Sequence, residues 1–330
     1  MPPKLLRQGT VDEQLGFMLG RVVPDYAGGK FFKGVERQAA RGASPDWLNR
    51  SRAAPTGSPR WHIHCLGQLT VFTGGNRPVD WQVSGAAPNK LRVLFAYLLH
   101  TGEKGAHSER ISELLWPEGS FEKTKRAPLH HAIAMLRKAL GSKDAVVRSG
   151  EYYRLNVPVG SWLDITSFEQ ICRRAISLAR HGVPSDALPV YFAAERLYGG
   201  DLFEDLPLEY LHNEHEDRVL PRRTWLREMA MRVQYDMSAL LRKEGRTAQA
   251  LDRAQRAIAL DPSSPEANIE AMRVLHAQGR LTAIHRQYRQ FRAAVEAAGD
   301  LPERDEVHDI YEELCESLEG QRNSKVLAIR

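Results

Sequence analysis

The stretch 129–155, LHHAIAMLRKALGSKDAVVRSGEYYRL, decides the fold class of this chain. Its first half places four apolar side chains on one face of a helix that Gly141 ends. These side chains are Leu129, Ile133, Leu136 and Leu140. Val146–Arg148 and Tyr152–Leu155 then flank a turn that contains Gly150, which is typical of a β-hairpin. A helix followed closely by a hairpin predicts the last helix and the wing of a winged helix-turn-helix.

The residues before this stretch supply the other parts of such a domain. Two runs within Trp61–Phe72 alternate with period two, and this pattern predicts short antiparallel strands. A helix follows, with Gly102 able to end it, and its apolar face consists of Leu91, Leu94, Phe95 and Leu98. Ser108 is the expected N-cap of a second helix, which Trp116-Pro117 stops. Strands, three helices and a hairpin predict a winged-helix domain over residues 61–163.

From Asp164 onward the sequence is helical and repetitive. Gly245-Arg246 recurs 34 residues later as Gly279-Arg280, the spacing of a helix–turn–helix repeat of the tetratricopeptide type. Equivalent positions after each glycine are occupied by Ala250 and Ile284, Ala254 and Tyr288, and Ala257 and Phe291. A degenerate third copy starts at Gly182, with Ala187, Tyr191 and Ala194 at the same offsets. The sequence therefore predicts a mainly α protein with a small antiparallel β component, whose winged-helix domain is followed by an all-α tetratricopeptide-like repeat domain.

A length of 330 residues also predicts more than one domain. We expect a basic and poorly ordered N-terminal extension over residues 1–60 and a C-terminal tail over residues 320–330. The repeat domain lies between the winged helix and this tail, at residues 164–319. Within it, Pro221 is expected to kink or split the segment Leu211–Glu244.

The net charge of +5 is unevenly distributed along the chain. Residues 1–60 carry 10 lysines and arginines against 5 aspartates and glutamates, and residues 61–163 carry 13 against 8. Residues 164–330 carry 23 against 28. A basic front and an acidic back favour a polyanionic partner for the front half.

Several classes of protein are excluded by what the sequence lacks. Cys65, Cys172 and Cys315 are far apart, which argues against a disulfide framework or a zinc finger and suits a reducing cytoplasm. No apolar run approaches the roughly 18 residues of a membrane-spanning helix. Neighbouring histidines do not offer the convergent ligands of a metal site. They are His62 and His64, His130 and His131, and His212 and His215. Phosphate-binding glycine loops and nucleophile elbows are absent, so we predict no enzymatic activity, no cofactor and no metal.

The third helix is the expected contact surface for nucleic acid. Lys123–Lys138 carries five lysines and arginines and no acidic residue. In a winged helix this helix enters the major groove, where polar side chains read base edges and cations bind phosphates. The predicted DNA-binding residues of this helix are Lys123, Thr124, Lys125, Arg126, His130, His131, Ala134, Arg137 and Lys138. The hairpin adds Arg148, Ser149 and Arg154. Pro128 is expected at the first helical position. An ordinary surface helix with a solvated basic face remains the alternative.

The order of these motifs resembles the OmpR-type winged-helix domain of the Streptomyces antibiotic regulatory protein family. The matching motifs are Leu66-Gly67, the helix Leu91–Leu99, Leu114–Pro117, Leu136–Gly141 and Tyr153–Leu155. Farther along, Leu163–Glu169, Tyr198–Phe203 and the repeat with Asp261-Pro262 and Glu266 look like that family's bacterial transcriptional activator domain.

This resemblance implies a cytoplasmic, nucleoid-associated bacterial transcription activator. Members of the family bind direct repeats in double-stranded DNA, often as two side-by-side protomers, and contact the RNA polymerase holoenzyme through its sigma factor. The resemblance assigns the recognition helix to Thr124–Leu140 and the wing to Arg148–Tyr153. Three features depart from the family: the 60 residues before the winged helix, Pro128, and Ala134 with the His130-His131 pair.

Two other functions are compatible with the sequence. The winged helix can serve as a protein-interaction scaffold that no longer binds DNA. Pro128 and Ala134 favour this alternative, because neither is expected in a recognition helix. Alternatively, the stacked repeats can form a concave groove that senses a small molecule, for instance a nucleotide.

Overall fold

The computed structural model describes residues 60–74, 77–117, 126–181, 184–207, 219–299 and 306–328. The predicted N-terminal extension, Arg60 excepted, lies outside these residues. The described part forms two compact units. One comprises the described residues of Met1–Ile171 and Arg196–Thr224, and the other comprises those of Cys172–Glu195 and Trp225–Arg330. The units interleave along the sequence instead of dividing at residue 163, and the functional boundary at that point stays a prediction.

The first unit contains the strands, three helices and hairpin that the sequence predicts. Its strands are β1 (His62–His64), β2 (Thr70–Phe72), β3 (Ala106–His107), β4 (Val146–Ser149), β5 (Tyr152–Leu155) and β6 (Trp162–Leu163). Its helices are α1 (Pro88–Thr101), α2 (Ser108–Leu115) and α3 (Arg126–Ala139). The core is built from the predicted apolar faces of these helices, with Phe95, Ile111 and Leu136 fully buried. The winged-helix prediction is therefore confirmed.

The six strands form two three-stranded sheets. In one, β5 lies between β3 and β4, and the antiparallel pair β4–β5 is the predicted hairpin. In the other, β1 pairs antiparallel with β2 and parallel with β6. The parallel pair was not expected, because β6 has only two residues and its partner lies about a hundred residues earlier.

Two local predictions are corrected by the structure. The N-cap of α2 is His107, whose ring accepts a hydrogen bond from the backbone N–H of Glu109, and Ser108 is the first helical residue. Pro128 occupies the third position of α3 as described. It fits there because backbone N–H groups in a first turn have no partner within the helix.

The beginning of the activator-like segment packs into the first unit. Gly199 and Gly200 lie against Leu66-Gly67, where a Cβ on Gly199 would stand 2.9 Å from the carbonyl oxygen of Leu66. Leu202 forms an antiparallel bridge with Leu66, and the N–H of Phe203 donates to the carbonyl of Cys65 at 2.8 Å. The glycine pair thus allows two backbones to approach closely.

Asp164 binds the same backbone segment through its side chain. It is 1% exposed, and its Oδ2 accepts hydrogen bonds from the N–H groups of Cys65 at 2.6 Å and Leu66 at 2.9 Å. Its Oδ1 accepts from the N–H of Ile165 at 2.7 Å. Burial raises the pKa of this carboxyl to about 6, against the lowering effect of these hydrogen bonds.

The remaining chain is helical. The helices are α4 (Asp164–His181), α5 (Pro184–Leu197), α6 (Val219–Lys243), α7 (Thr247–Leu260), α8 (Pro265–Ala277), α9 (Leu281–Ala297) and α10 (Glu306–Ala328). The small and aromatic residues at the repeat positions face inward in the second unit. Ala250, Ala254, Ala257, Ile284 and Phe291 are buried, as are Ala187, Tyr191 and Ala194, while Tyr288 is half-buried. The predicted helical repeats are confirmed.

Two boundaries differ from expectation. Helix α6 runs unbroken from Val219 to Lys243, and Pro221 lies in its first turn, so the expected split is wrong within these residues. The chain past residue 320, expected as a tail, continues α10 to Ala328.

Candidate nucleic-acid interface

Helix α3 has the two faces that its sequence predicts. Leu129, Ile133 and Leu136 are at most 2% exposed and pack into the core. His130, His131, Ala134 and Lys138 are exposed, and Met135 and Arg137 are half-buried. The helix therefore presents two histidines, a small apolar residue and one lysine to solvent.

The N-terminal part of the predicted site is only partly described. Lys123, Thr124 and Lys125 lie outside the described residues, and Arg126 begins the helix. Ala127 and Pro128 are exposed in its first turn.

His131 connects the exposed face of α3 to a turn of the same unit. Its Nε2 lies 2.8 Å from the carbonyl oxygen of Gly85, so the ring donates through Nε2–H. Gly85 has φ +86°, a conformation that favours glycine. The contact fixes the orientation of the His131 ring on this surface.

Arg137 is engaged with the wing. Its Nε and Nη2 both donate to the carbonyl oxygen of Val146, at 3.0 and 2.7 Å. Val146 is the first residue of β4, so this side chain joins α3 to the start of the hairpin. Sequence reasoning placed Arg137 among the DNA contacts, and the structure gives its guanidinium an intramolecular partner.

Lys143 is a cation of this surface that sequence reasoning did not include. A surface depression at the C-terminal end of α3 is lined by Ala134, Arg137, Lys138, Gly141, Ser142 and Lys143. Lys138 and Lys143 are both exposed, and the short 3-10 turn Lys143–Ala145 joins the helix to β4. The position of Lys143 between the predicted helix and hairpin was the available signal.

The wing carries its predicted polar residues near the turn. Ser149 is exposed, Arg154 is half-buried, and the two tyrosines alternate as expected: Tyr152 is 51% exposed and Tyr153 is 3% exposed. The guanidinium of Arg148 lies 5.7 Å from the Tyr153 ring centroid.

Hydrogen bonds attach the hairpin turn to helix α2. The N–H of Ser108 donates to the carbonyl of Glu151 at 2.8 Å, and the Ser108 hydroxyl donates to Glu151 Oε2 at 3.0 Å. Next to them, the rings of His107 and Tyr152 meet edge to face at 5.2 Å. The wing is thus held by α2 at its turn and by α3 at its base.

Not every cation of this unit belongs to the exposed surface. The Lys90 ammonium lies 5.0 Å from the Trp116 ring centroid, and partial burial lowers the pKa of Lys90.

Within the described ranges, there is no group of three or more His, Cys, Asp or Glu side chains that could hold a metal ion. Among the same residues, no helix has the length and apolarity needed to cross a membrane.

Comparison with known proteins identifies a domain in the second half of the chain. Residues 163–315 match the family model described as "Bacterial transcriptional activator domain". This match confirms the resemblance that the motifs at Leu163–Glu169 and Tyr198–Phe203 predicted. No curated protein matches the chain.

A solved structure shares the overall fold. It is described as "Mycobacterium tuberculosis EmbR in complex with low affinity phosphopeptide", and it aligns with a TM-score of 0.62 at 18% sequence identity. The alignment covers 82% of this chain and 71% of that one. At this identity the likeness concerns the fold, a winged helix followed by a helical domain.

Proposed function

We infer that this chain, in which residues 163–315 match the bacterial transcriptional activator domain, is a transcriptional regulator of the Streptomyces antibiotic regulatory protein type. We propose that it binds double-stranded DNA in a sequence-specific manner through its winged helix and activates transcription. No catalytic step, cofactor or metal is part of this proposal.

One observation carries the proposal: the solvent face of α3 joins exposed polar and cationic side chains, and a hairpin stands beside it. A helix of this kind fits the major groove of B-DNA, which is about 12 Å wide. Lys138 and Lys143 are suited to phosphate contacts because they are exposed at the end of the helix next to the wing.

The exposed histidines provide the most direct means of reading bases. His130 and His131 are exposed on the first half of α3. The His130 imidazole can donate to or accept from base edges, whereas His131 offers Nδ1 as an acceptor because its Nε2–H donates to Gly85. Ala134 offers a methyl group that can contact a thymine methyl. Lys123, Thr124, Lys125 and Arg126 are also proposed to contact DNA, on the evidence of their sequence alone.

The second unit is proposed to serve protein contacts. Its helical repeats bury their small residues and expose ion-paired surfaces, such as the Arg256–Asp252 pair at 3.1 Å. We propose the RNA polymerase holoenzyme, through its sigma factor, and a second copy of the chain on direct repeats as partners. The proposed location is the cytoplasm, at the nucleoid.

Selection of duplexes from a random pool by the full-length chain tests the DNA-binding proposal. We expect enrichment of a pair of direct repeats, whose spacing reports the arrangement of two protomers. Recovery of no enriched duplex, together with capture of a protein by the α3 face, would favour the scaffold function over DNA binding.

A further inference from the structure

The wing contains an ion pair between Arg148 and Glu151, and Arg148 is also one of the proposed DNA contacts. Arg148 Nη2 lies 3.1 Å from Glu151 Oε1, and Arg148 Nε donates to the carbonyl of Gly150 at 2.7 Å. Both side chains are nearly half-exposed, at 43% and 45%. The guanidinium of Arg148 is therefore accessible to a ligand but already occupied by a carboxylate.

Glu151 is fixed where it can hold this arginine. Its Oε2 accepts from the Ser108 hydroxyl and its backbone carbonyl accepts from the Ser108 N–H, at the first residue of α2. A carboxylate next to a helix N-terminus is also favoured by the helix dipole. These contacts keep the carboxylate in place while Arg148 pairs with its other oxygen.

We propose that Glu151 is an affinity-setting residue of the wing, which competes with a DNA phosphate for the Arg148 guanidinium. This inference rests on the proposed DNA binding of the winged helix. A phosphate oxygen and a carboxylate oxygen bind the same donors of a guanidinium, so the phosphate gains Arg148 only when the pair with Glu151 opens or is shared. The carboxylate also repels the phosphate that approaches.

If Glu151 competes with DNA, its removal should change DNA affinity in the opposite direction to the removal of a residue that only supports the wing. Loss of a contact that only supports the wing weakens DNA binding, whereas loss of a competitor strengthens it. An exposed ion pair of this kind is weak, so its removal should tighten binding by about two- to five-fold. Because one more phosphate is then neutralised without a competing carboxylate, the slope of log K against log salt should steepen by up to about 0.9.

Glu151→Gln tests the proposal in the full-length chain, with titrations of a selected duplex at several salt concentrations. The control is Glu113→Gln, because Arg110 and Glu113 form an equally exposed pair at 3.0 Å on α2, also three residues apart. Ser108→Ala removes the hydroxyl contact to Glu151 and keeps both charges. We expect tighter binding and a steeper slope for Glu151→Gln and neither change for Glu113→Gln. Ser108→Ala should give a smaller tightening than Glu151→Gln, because it releases the carboxylate without removing its charge.

Arg148→Met provides the second arm of the experiment. In this background Glu151→Gln should no longer tighten binding, because the contested cation is absent. Unchanged or weaker binding by Glu151→Gln, with wild-type binding intact, would overturn the competition and leave the DNA-binding function standing. The same tightening in the Arg148→Met background would also overturn it. A wild-type chain that binds no duplex would overturn both.

Discussion

Arg137 and Lys138 are adjacent in the sequence but differ in their structural roles. Arg137 donates two hydrogen bonds to the carbonyl oxygen of Val146, whereas Lys138 is exposed and lines the depression at the end of α3. The first residue is therefore a positioning residue that holds the wing, and the second is available to a ligand.

This difference predicts that the two alanine substitutions change different properties of the protein. Arg137→Ala should lower the free energy of unfolding by about 1–2 kcal/mol, because the carbonyl of Val146 loses two hydrogen bonds from a charged group. Lys138→Ala should leave stability within about 0.5 kcal/mol and weaken duplex binding. Urea unfolding and duplex titration of both variants measure the two effects. Equal stability losses would contradict the assignment.

Asp164 predicts a pH dependence of stability. Its pKa is about 6 in the folded protein against an ordinary value of 3.8, since burial outweighs its backbone hydrogen bonds. Between these pH values the native state binds more protons than the unfolded state. The stability that Asp164 contributes is thus fully present below about pH 4 and falls as the pH rises through 6, by on the order of 3 kcal/mol.

Asp164→Asn isolates this contribution. Urea unfolding of the wild type and the variant at pH 4 and pH 6.5 should give a difference that shifts in favour of the variant at the higher pH. A difference that shifts toward the wild type, or does not change with pH, would contradict the raised pKa.

Among the structural elements, the connection into β3 depends on one glycine. Gly105 has φ +67°, and a Cβ at this position would stand 2.5 Å from the carbonyl oxygen of Tyr153 in β5. Gly141 at the end of α3 has φ +70°, but a Cβ there would meet no atom within 4 Å. The two glycines share a backbone conformation and differ in the space around them.

Alanine at each glycine separates these two causes. Gly141→Ala should cost about 1 kcal/mol through backbone strain alone. Gly105→Ala should cost at least about 2 kcal/mol more, because β3 must move away from β5. Thermal and urea unfolding give the comparison, and similar costs at both positions would show that the β3–β5 contact yields easily.

Local sequence signals predicted the elements better than their long-range pairing. The 3.6-residue period of Leu129, Ile133 and Leu136 is fixed within one helix, so the buried face of α3 could be predicted. The parallel β1–β6 pair and the Gly199–Leu66 contact join residues about a hundred or more positions apart, and no local pattern encodes them.

The same limit applies to the candidate site. The exposure of His130, His131 and Lys138 follows from helical periodicity and was predicted. The partner of Arg137 is a backbone carbonyl in the next element, and the partner of Arg148 depends on the exact fold of the hairpin turn. Side-chain identity does not reveal either contact.

For the whole molecule, the interleaved units make the winged helix depend on residues of the activator-like segment. Asp164, Leu202 and Phe203 contact Cys65 or Leu66, which follow β1, and the Asp205 carboxylate pairs with Arg92 of α1. A cut at residue 163 removes all of these groups.

Residues 60–163 alone should therefore be at least about 4 kcal/mol less stable than the first unit of the longer chain, given the buried apolar side chains that are lost. Residues 60–330 serve as the control, since they keep every described contact. Urea unfolding followed by tryptophan fluorescence measures both. Equal stability of the short fragment would show that the winged helix folds independently of the following segment.

The fold assigns the two oppositely charged halves of the chain to different structural parts. The basic front half presents Lys138 and Lys143 beside the wing, whereas the acidic back half forms the helical repeats. Association with a polyanion through one surface predicts a salt-dependent affinity that weakens when cations of that surface are removed and not when cations elsewhere are removed.

The most direct test is the salt dependence of duplex binding by Arg126→Ala/Lys138→Ala in the full-length chain. Arg286→Ala/Arg289→Ala is the control, because it removes two arginines that lie exposed on α9 of the second unit. We predict weaker binding and a log K against log salt slope that is shallower by about one for each lost phosphate contact, with the control unchanged. Affinity and slope equal to those of the wild type would contradict DNA binding through this face of α3.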